Sequence, residues 1–431
     1  MRSQTVLTKI QRIADQASEY PDLVFTTLVH LMNVDFLRDA FHLLRKNAAP
    51  GIDGVTVEKY AENLEENLKD LHARLRNKQY RATPVKRVWI DKDNGSKRPI
   101  GITTLEDKIV QRAVAMLMAA VYEQDFFDFS YGFREGRSPH QALHELRERC
   151  MNMNIGWVID LDVSGCFDNI EKGALLDVIK QRVNDGGIIR LIGKWLNAGV
   201  MEGDVLTIPE KGTPQGGVIS PLLANIYLHH VLDEWFVNQV LPRMKGRAFI
   251  VRFADDAVLC FEFESDARRV MNVLTKRFAR FGLTVHPQKT KLVRFNRPDR
   301  DDTGKGNGTF DFLGFTHYWA KSRRGYWVIK RKTMGKRVKR TVKAIWAWCR
   351  QNQHEPLDEQ HIALCQKLRG HFQYYGIRGN YRMLDSVLWQ VKRVWRYWLN
   401  RRSRKKTMSL QEFDLLMAAY PLPKPRIFHA I

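Results

Sequence analysis

Two hydrophobic periods alternate along the chain. From Val57 to Leu75 apolar residues recur at three- and four-residue steps, which predicts helix, and most of residues 1–155 read alike. VKRVWI (Val85–Ile90) interrupts that pattern as a strand, followed by a turn at Asn94-Gly95. From Gly156 the pattern changes to a strand (Trp157–Val163), helices over Lys172–Val183 and Ser220–Val240, a hairpin around Asp255, a helix over Ser265–Phe281 and a strand, LTVHPQKTKLVRF. This order predicts an α+β layer with helices on one antiparallel sheet. DRDDTGKGNG (Asp299–Gly308) reads as a loop. After a polar break at Gln351–Gln360 the tail reads as helical. There Leu384, Val387, Leu388, Val391, Val394, Trp395, Trp398 and Leu399 form one stripe, and Lys392, Arg393 and Arg396 fall off it.

Inside the hairpin, VRFADDAVLCF sets two adjacent carboxylates, Asp255 and Asp256, at the turn between two apolar runs. A turn uses one Asp at most. Two like charges side by side repel unless a cation neutralises them, and hard divalent ions take one or two carboxylates together with substrate phosphates. A metal site therefore requires a third acid. Asp160, Asp162 and Asp168, all near the strand WVIDLDVSGCFDNI, are candidates that spacing alone does not separate.

Composition supplies the reason for phosphates. The 431 residues carry a net charge of +23. Residues 321–431 hold 26 of the 70 Lys and Arg but 6 of the 47 acids, and six of the eleven Trp. A concentrated basic block with interleaved aromatics predicts a nucleic-acid surface. Five scattered cysteines with no C-x-x-C pair argue against a disulfide framework or a structural zinc. The start has no signal-peptide core, and the longest apolar run, Ala113–Tyr122, is about half a bilayer span. A soluble intracellular protein, cytoplasmic and associated with RNA or the nucleoid, is expected.

Several motifs in order resemble the reverse transcriptases encoded by group II introns, with their maturase domain. NAAPGIDGVT, GSKRPIGITTLEDKIVQRAV and FSYGFREGRSPHQAL resemble the N-terminal extension and finger blocks. VIDLDVSGCFDNI, GTPQGGVISPLLANIYLHHVLDEW, VRFADDAVLC, GLTVHPQKTKLV and FDFLGFTHYW resemble the palm blocks, and KLRGHFQYYGIRGN and LPKPRIFHAI the maturase region. The resemblance runs from about Leu37 to Ile431 and implies a right-hand polymerase. Fingers with the N-terminal extension would occupy residues 1–155, the palm 156–320 and a basic helical thumb 321–431.

The resemblance also implies roles. It selects Asp162 as the third metal ligand with Asp255 and Asp256, around two Mg²⁺ ions for which Mn²⁺ would substitute. Phe167 would exclude a 2′-hydroxyl and so favour dNTPs. Gln215 would support the incoming nucleotide, with Gly216 and Gly217 permitting close backbone approach. Lys92 and Arg98 would bind the triphosphate, and Lys289 would protonate the pyrophosphate. Arg369, Arg378, Lys392, Arg393, Arg396, Arg401 and Arg402 would contact RNA. Phe253 stands where the family usually has tyrosine and Ser164 where it usually has lysine. No endonuclease module is expected after the maturase region. The implied activity is RNA-directed DNA synthesis from RNA template, primer and dNTPs, with binding of structured intron RNA. The rivals are a host-adopted enzyme of DNA repair or phage defence, and a maturase that only binds RNA.

Overall fold

The computed structural model describes residues 4–91, 97–203, 205–208, 211–212, 216–299, 308–402 and 407–431. Lys92 and Gln215 lie outside these. The strands among them are β1 (Val85–Asp91), β2 (Lys97–Ile102), β3 (Trp157–Leu161), β4 (Val163–Ser164), β5 (Val200–Glu202), β6 (Val205–Thr207), β7 (Ala248–Phe253), β8 (Asp256–Phe261), β9 (Thr284–Val285), β10 (Lys291–Arg294), β11 (Phe310–Phe312), β12 (Phe315–Lys321) and β13 (Trp327–Thr333). They form four sheets, in the orders β2-β1-β5-β6, β10-β3-β8-β7, β11-β12-β13 and β4-β9. The α+β class predicted from the pattern is what the chain adopts, with several small sheets in place of one, and with β1 and β5 pairing in parallel.

Two compact units arise. One comprises Met1–Ser138, Leu161–Leu259 and Ser265–Lys291, the other Pro139–Asp160, Cys260–Glu264 and Leu292–Ile431. At the centre of the first is the helix Leu105–Asp125, which contains the long apolar run. Its Ile109, Val110, Ala113, Val114, Leu117, Met118 and Val121 are fully buried, so the run is core sequence. Among the described residues no helix is long and apolar enough to cross a membrane.

Three sequence expectations shift, and one helix was not foreseen. The strand predicted as LTVHPQKTKLVRF is two short strands, Thr284–Val285 and Lys291–Arg294, because the Thr290 N–H donates to the His286 carbonyl and closes a turn between them. The strand predicted through Val163 breaks at Asp162, because Asp162 bonds outside any ladder and Val163 and Ser164 pair with Val285 and Thr284. The helix predicted over Ser220–Val240 is α-helical as Ser220–Leu228 and then passes through two π-helical segments, His229–Asp233 and Phe236–Val240. A helix over Gly186–Leu196 was not foreseen; it opens on two glycines, and the Asp185 carboxylate caps it by accepting from the Gly187 and Ile188 N–H groups.

The second unit contains the three-stranded sheet β11-β12-β13 and helices Gly335–Gln351, Leu357–Tyr375, Tyr381–Leu399 and Leu410–Ala419. The predicted stripe holds: Leu384, Val387, Val391 and Trp395 are fully buried, Leu388, Val394 and Leu399 nearly so, and Trp398 is half-buried against them. The Trp395 indole N–H donates to Gln360 Oε1 at 2.8 Å, giving the buried ring its polar partner.

Candidate active site

Asp162 sits in the break between β3 and β4, and its backbone is held by the turn His286–Thr290. The Asp162 N–H donates to Thr290 Oγ1 (3.2 Å), while the Asp162 carbonyl accepts from the His286 N–H (2.8 Å). The same turn carries Lys289, whose Nζ lies 3.5 Å from Asp162 Oδ1. HPQKT thus fixes the acid and supplies a cation to it in one element.

Asp255 lies in the turn between β7 and β8, and Asp256 is the exposed first residue of β8. Burial pushes the Asp255 carboxyl above the usual carboxylate range; the Asp162 charge adds to this, and Arg98 and Arg252 pull the other way. Asp255 is therefore within electrostatic reach of both Asp162 and Arg98. Exposed Arg98 is on β2, opposite Ile90 of β1. Cys166 lies near the same turn, since burial and then the Asp255 charge push its thiol up to about 12. It begins the short helix Cys166–Asn169 that carries half-buried Phe167 and exposed Asp168. Asp160 lies within β3. Gly216 adopts φ 112° and a Cβ there would stand 2.3 Å from the Gly101 carbonyl oxygen, so its glycine is required by contact with β2, the strand of Arg98.

A buried network holds the hairpin. Arg252, fully buried on β7, donates from Nε and Nη2 to the two Asp233 carboxylate oxygens (2.8 and 2.5 Å) and from Nη1 to Asn225 Oδ1 and the Ala254 carbonyl (both 3.0 Å). Burial alone would raise the Asp233 carboxyl; the Arg252 guanidinium, with help from His229, outweighs it and leaves that carboxyl below its usual range. Ala254, at φ 56°, is in the left-handed region that costs a non-glycine residue about 1–2 kcal/mol. Its backbone packs against Gly132, where a Cβ would stand 2.2 Å from the Ala254 nitrogen, and Asn225 donates to the Gly132 carbonyl at 2.5 Å. Sequence reasoning missed Arg252, Asp233, Asn225 and Gly132. The signal available was a lone Arg inside the apolar run FIVRF, since a charge on a buried strand implies a buried partner.

Among the described residues no three His, Cys, Asp or Glu side chains form a metal cage by themselves. Mg²⁺ seldom uses such a cage: it keeps waters and substrate phosphates and takes one or two carboxylates. An all-oxygen set of Asp162 and Asp255, with Asp256 next to Asp255 in sequence, fits a hard divalent ion shared with a triphosphate.

The seven basic residues singled out in the tail differ in setting. Arg369, Arg378, Arg393 and Arg401 are exposed, and Lys392 is half-buried. Arg393 lies over the Trp389 ring (4.5 Å) and Arg401 over Tyr397 (4.6 Å). Arg402 donates to the carbonyls of Gln353 and Glu355, and Arg396 to that of Met408 at 3.1 Å, so these two also brace the helices.

A family model described as reverse transcriptase (RNA-dependent DNA polymerase) matches residues 90–317. The group II intron-encoded protein LtrA of Lactococcus lactis subsp. cremoris is 37% identical over 53% of this chain and 38% of its own length. Protein YkfC of Escherichia coli K12 is 33% identical over 59% of this chain and 75% of its own. The 91 kDa protein in the cob intron of Schizosaccharomyces pombe is 34% identical over 55% of this chain and 29% of its own. The match thus spans well under half of LtrA and of the cob intron protein. With more than half of its residues matched, and with the acids of the hairpin inside the matched region, the chain belongs to the reverse transcriptase family.

Proposed function

We propose that the chain is an RNA-directed DNA polymerase that copies RNA into cDNA by two-metal nucleotidyl transfer, and that it assists group II intron splicing and mobility. The observation that carries the catalytic reading is that β3 and β8 are neighbours in one sheet, with the start of β3 bonded to the end of β8, so Asp162 just past β3 and Asp255 just before β8 lie at the same end, with Lys289 3.5 Å from the first. When bound by Asp162, Asp255 and Asp256, two Mg²⁺ ions (or Mn²⁺) would supply charge neutralisation for the triphosphate and a lowered pKa for the attacking hydroxyl.

The chain's own residues do the rest. Arg98, with Lys92, offsets phosphate charge as the triphosphate docks. The Arg252 network fixes the turn, so the carboxylates need no reorganisation when the nucleotide arrives. Lys289 is positioned to hold a proton for the departing pyrophosphate. Phe167 and Gln215 take the sugar-discriminating and nucleotide-supporting roles of the family. On this reading the fingers, palm and thumb occupy about 1–155, 156–320 and 321–431. Exposed Arg369, Arg378, Arg393 and Arg401 then meet RNA phosphates while the neighbouring aromatics stack on unpaired bases.

Primer extension on an RNA template with dNTPs and Mg²⁺ tests this. The expected result is cDNA synthesis that disappears in Asp255→Ala; no synthesis by the unsubstituted protein from low to moderate salt refutes it.

A further inference from the structure

Away from the catalytic hairpin, a cavity of about 580 Å³ opens between the segment around Val29–Asn33, the helix Leu64–Arg76 and the helix Gly186–Leu196. Its wall carries His30, His72, Arg76, Lys78, Arg190 and Lys194 and, among the described residues, no acidic one. Overall basicity does not account for this, because the first 320 residues hold 44 Lys and Arg against 41 acids. Lys194 donates to the Tyr80 carbonyl. Among the described residues His30, His72, Arg76, Lys78 and Arg190 have no ion-pair partner.

Two features of the wall work against stability. Arg190 and Lys194 are an i,i+4 pair of like charges on one helix face, an arrangement that destabilises a helix. The helix dipole favours a cation at Lys194 in the last turn, and does nothing for Arg190 in the middle. Lys78 follows the end of its helix at φ 61°, a position where glycine is the favoured residue, and it faces the cavity. Residues held in the left-handed region cluster at ligand-binding and active sites, and here one shares a concave surface with crowded like charges. The floor is apolar, with Met32 and Leu191. The volume lies within the usual range for small-ligand sites of about 300–1,000 Å³.

We infer that this cavity is a second, non-catalytic anion site that takes one nucleotide phosphate together with its base. Arg76, Lys78 and Arg190 hold the phosphate by charge-assisted hydrogen bonds and the apolar floor takes the base. A wall carrying several cations repels a cationic ligand, and so many cations exceed what a single carboxylate needs. The ligand comes either as a free mononucleotide or as one unstacked nucleotide of a bound RNA strand.

The test uses the full chain with two probes, adenosine 5′-monophosphate and a short single-stranded RNA, on Arg190→Glu and Lys78→Gly. Loss of about tenfold in affinity for the mononucleotide in Arg190→Glu supports the site with a free ligand; loss for RNA alone supports it with a strand nucleotide. Lys78→Gly relieves the backbone strain, so it raises the melting temperature while lowering affinity for the same probe, a pairing that a purely structural role would not give. Neither residue is in the catalytic machinery, so cDNA synthesis at saturating primer–template stays unchanged in both variants. Equal affinity of the unsubstituted chain and both variants for both probes overturns the inference.

Discussion

Residues 161–291 and residues 335–402 handle like charge in opposite ways. In the first, a few carboxylates stand close together, and cations offset the repulsion between Asp162 and Asp255: Lys289 lies 3.5 Å from Asp162, and the charges of Arg98 and Arg252 act on Asp255. In the second, many cations are spread along helices whose other faces are buried, and most of the spread cations meet water. Concentrated charge needs a rigid frame to hold it, and the Arg252–Asp233–Asn225 network is that frame. Dispersed charge needs only a packed helix beneath it. The first arrangement suits a small multivalent substrate and the second a long polyanion.

Breaking the frame gives the largest effect. Arg252→Met leaves the Asp233 carboxylate buried without its partner, so the chain loses about 3–5 kcal/mol of stability. Chemical unfolding measures this, and the double variant Arg252→Met, Asp233→Leu recovers most of the loss. A change below about 1 kcal/mol in the single variant would place the network among ordinary surface pairs.

The basic region gives a smaller effect of a different kind. Arg393→Glu with Arg401→Glu lowers RNA affinity and flattens the dependence of log K on log salt by about 1.4, the share of two single-strand phosphate contacts. Arg402→Ala lowers stability instead, since its guanidinium ties the Gln353 and Glu355 carbonyls. Salt-dependent binding in both variants, measured by fluorescence anisotropy, separates the exposed cations from the bracing one.

The smallest effect is confined to acid. Burial, then the charge of Arg331, holds the His317 imidazole down to about 3 from its ordinary 6.5. Below about 6.5 the unfolded chain takes up this proton before the folded one does. The stability contribution is therefore complete above that pH and drains away as pH falls from 6.5 toward 3. His317→Phe makes thermal stability less sensitive to pH across that window and leaves RNA binding at neutral pH unchanged.

Much of this contrast was legible in the sequence. The apolar stripe from Leu384 to Leu399, the hairpin with its acid pair and the basic tail all follow local periodicity or composition, which act within a few residues. The break at Asp162, the helix after Asp185 and the partner of Arg252 were not legible. The break and the partner depend on bonds to Thr290 and Asp233, distant in sequence, and spacing carries no information about such contacts. The helix hides behind two glycines that a capped first turn tolerates. The choice of Asp162 over Asp160 and Asp168 rested on family resemblance, and Lys289 ion-paired to Asp162 beside the Asp255 turn is the geometry that accompanies it.

The most direct test is single-turnover incorporation of one dNTP on an RNA template across a Mg²⁺ titration, comparing the unsubstituted chain with Asp162→Asn. A metal ligand at Asp162 predicts a fall of about a thousandfold at saturating Mg²⁺, the several kcal/mol that metal-held charge supplies, with template affinity retained. A variant that incorporates at the unsubstituted rate with the same Mg²⁺ dependence contradicts the assignment of Asp162 to the catalytic site.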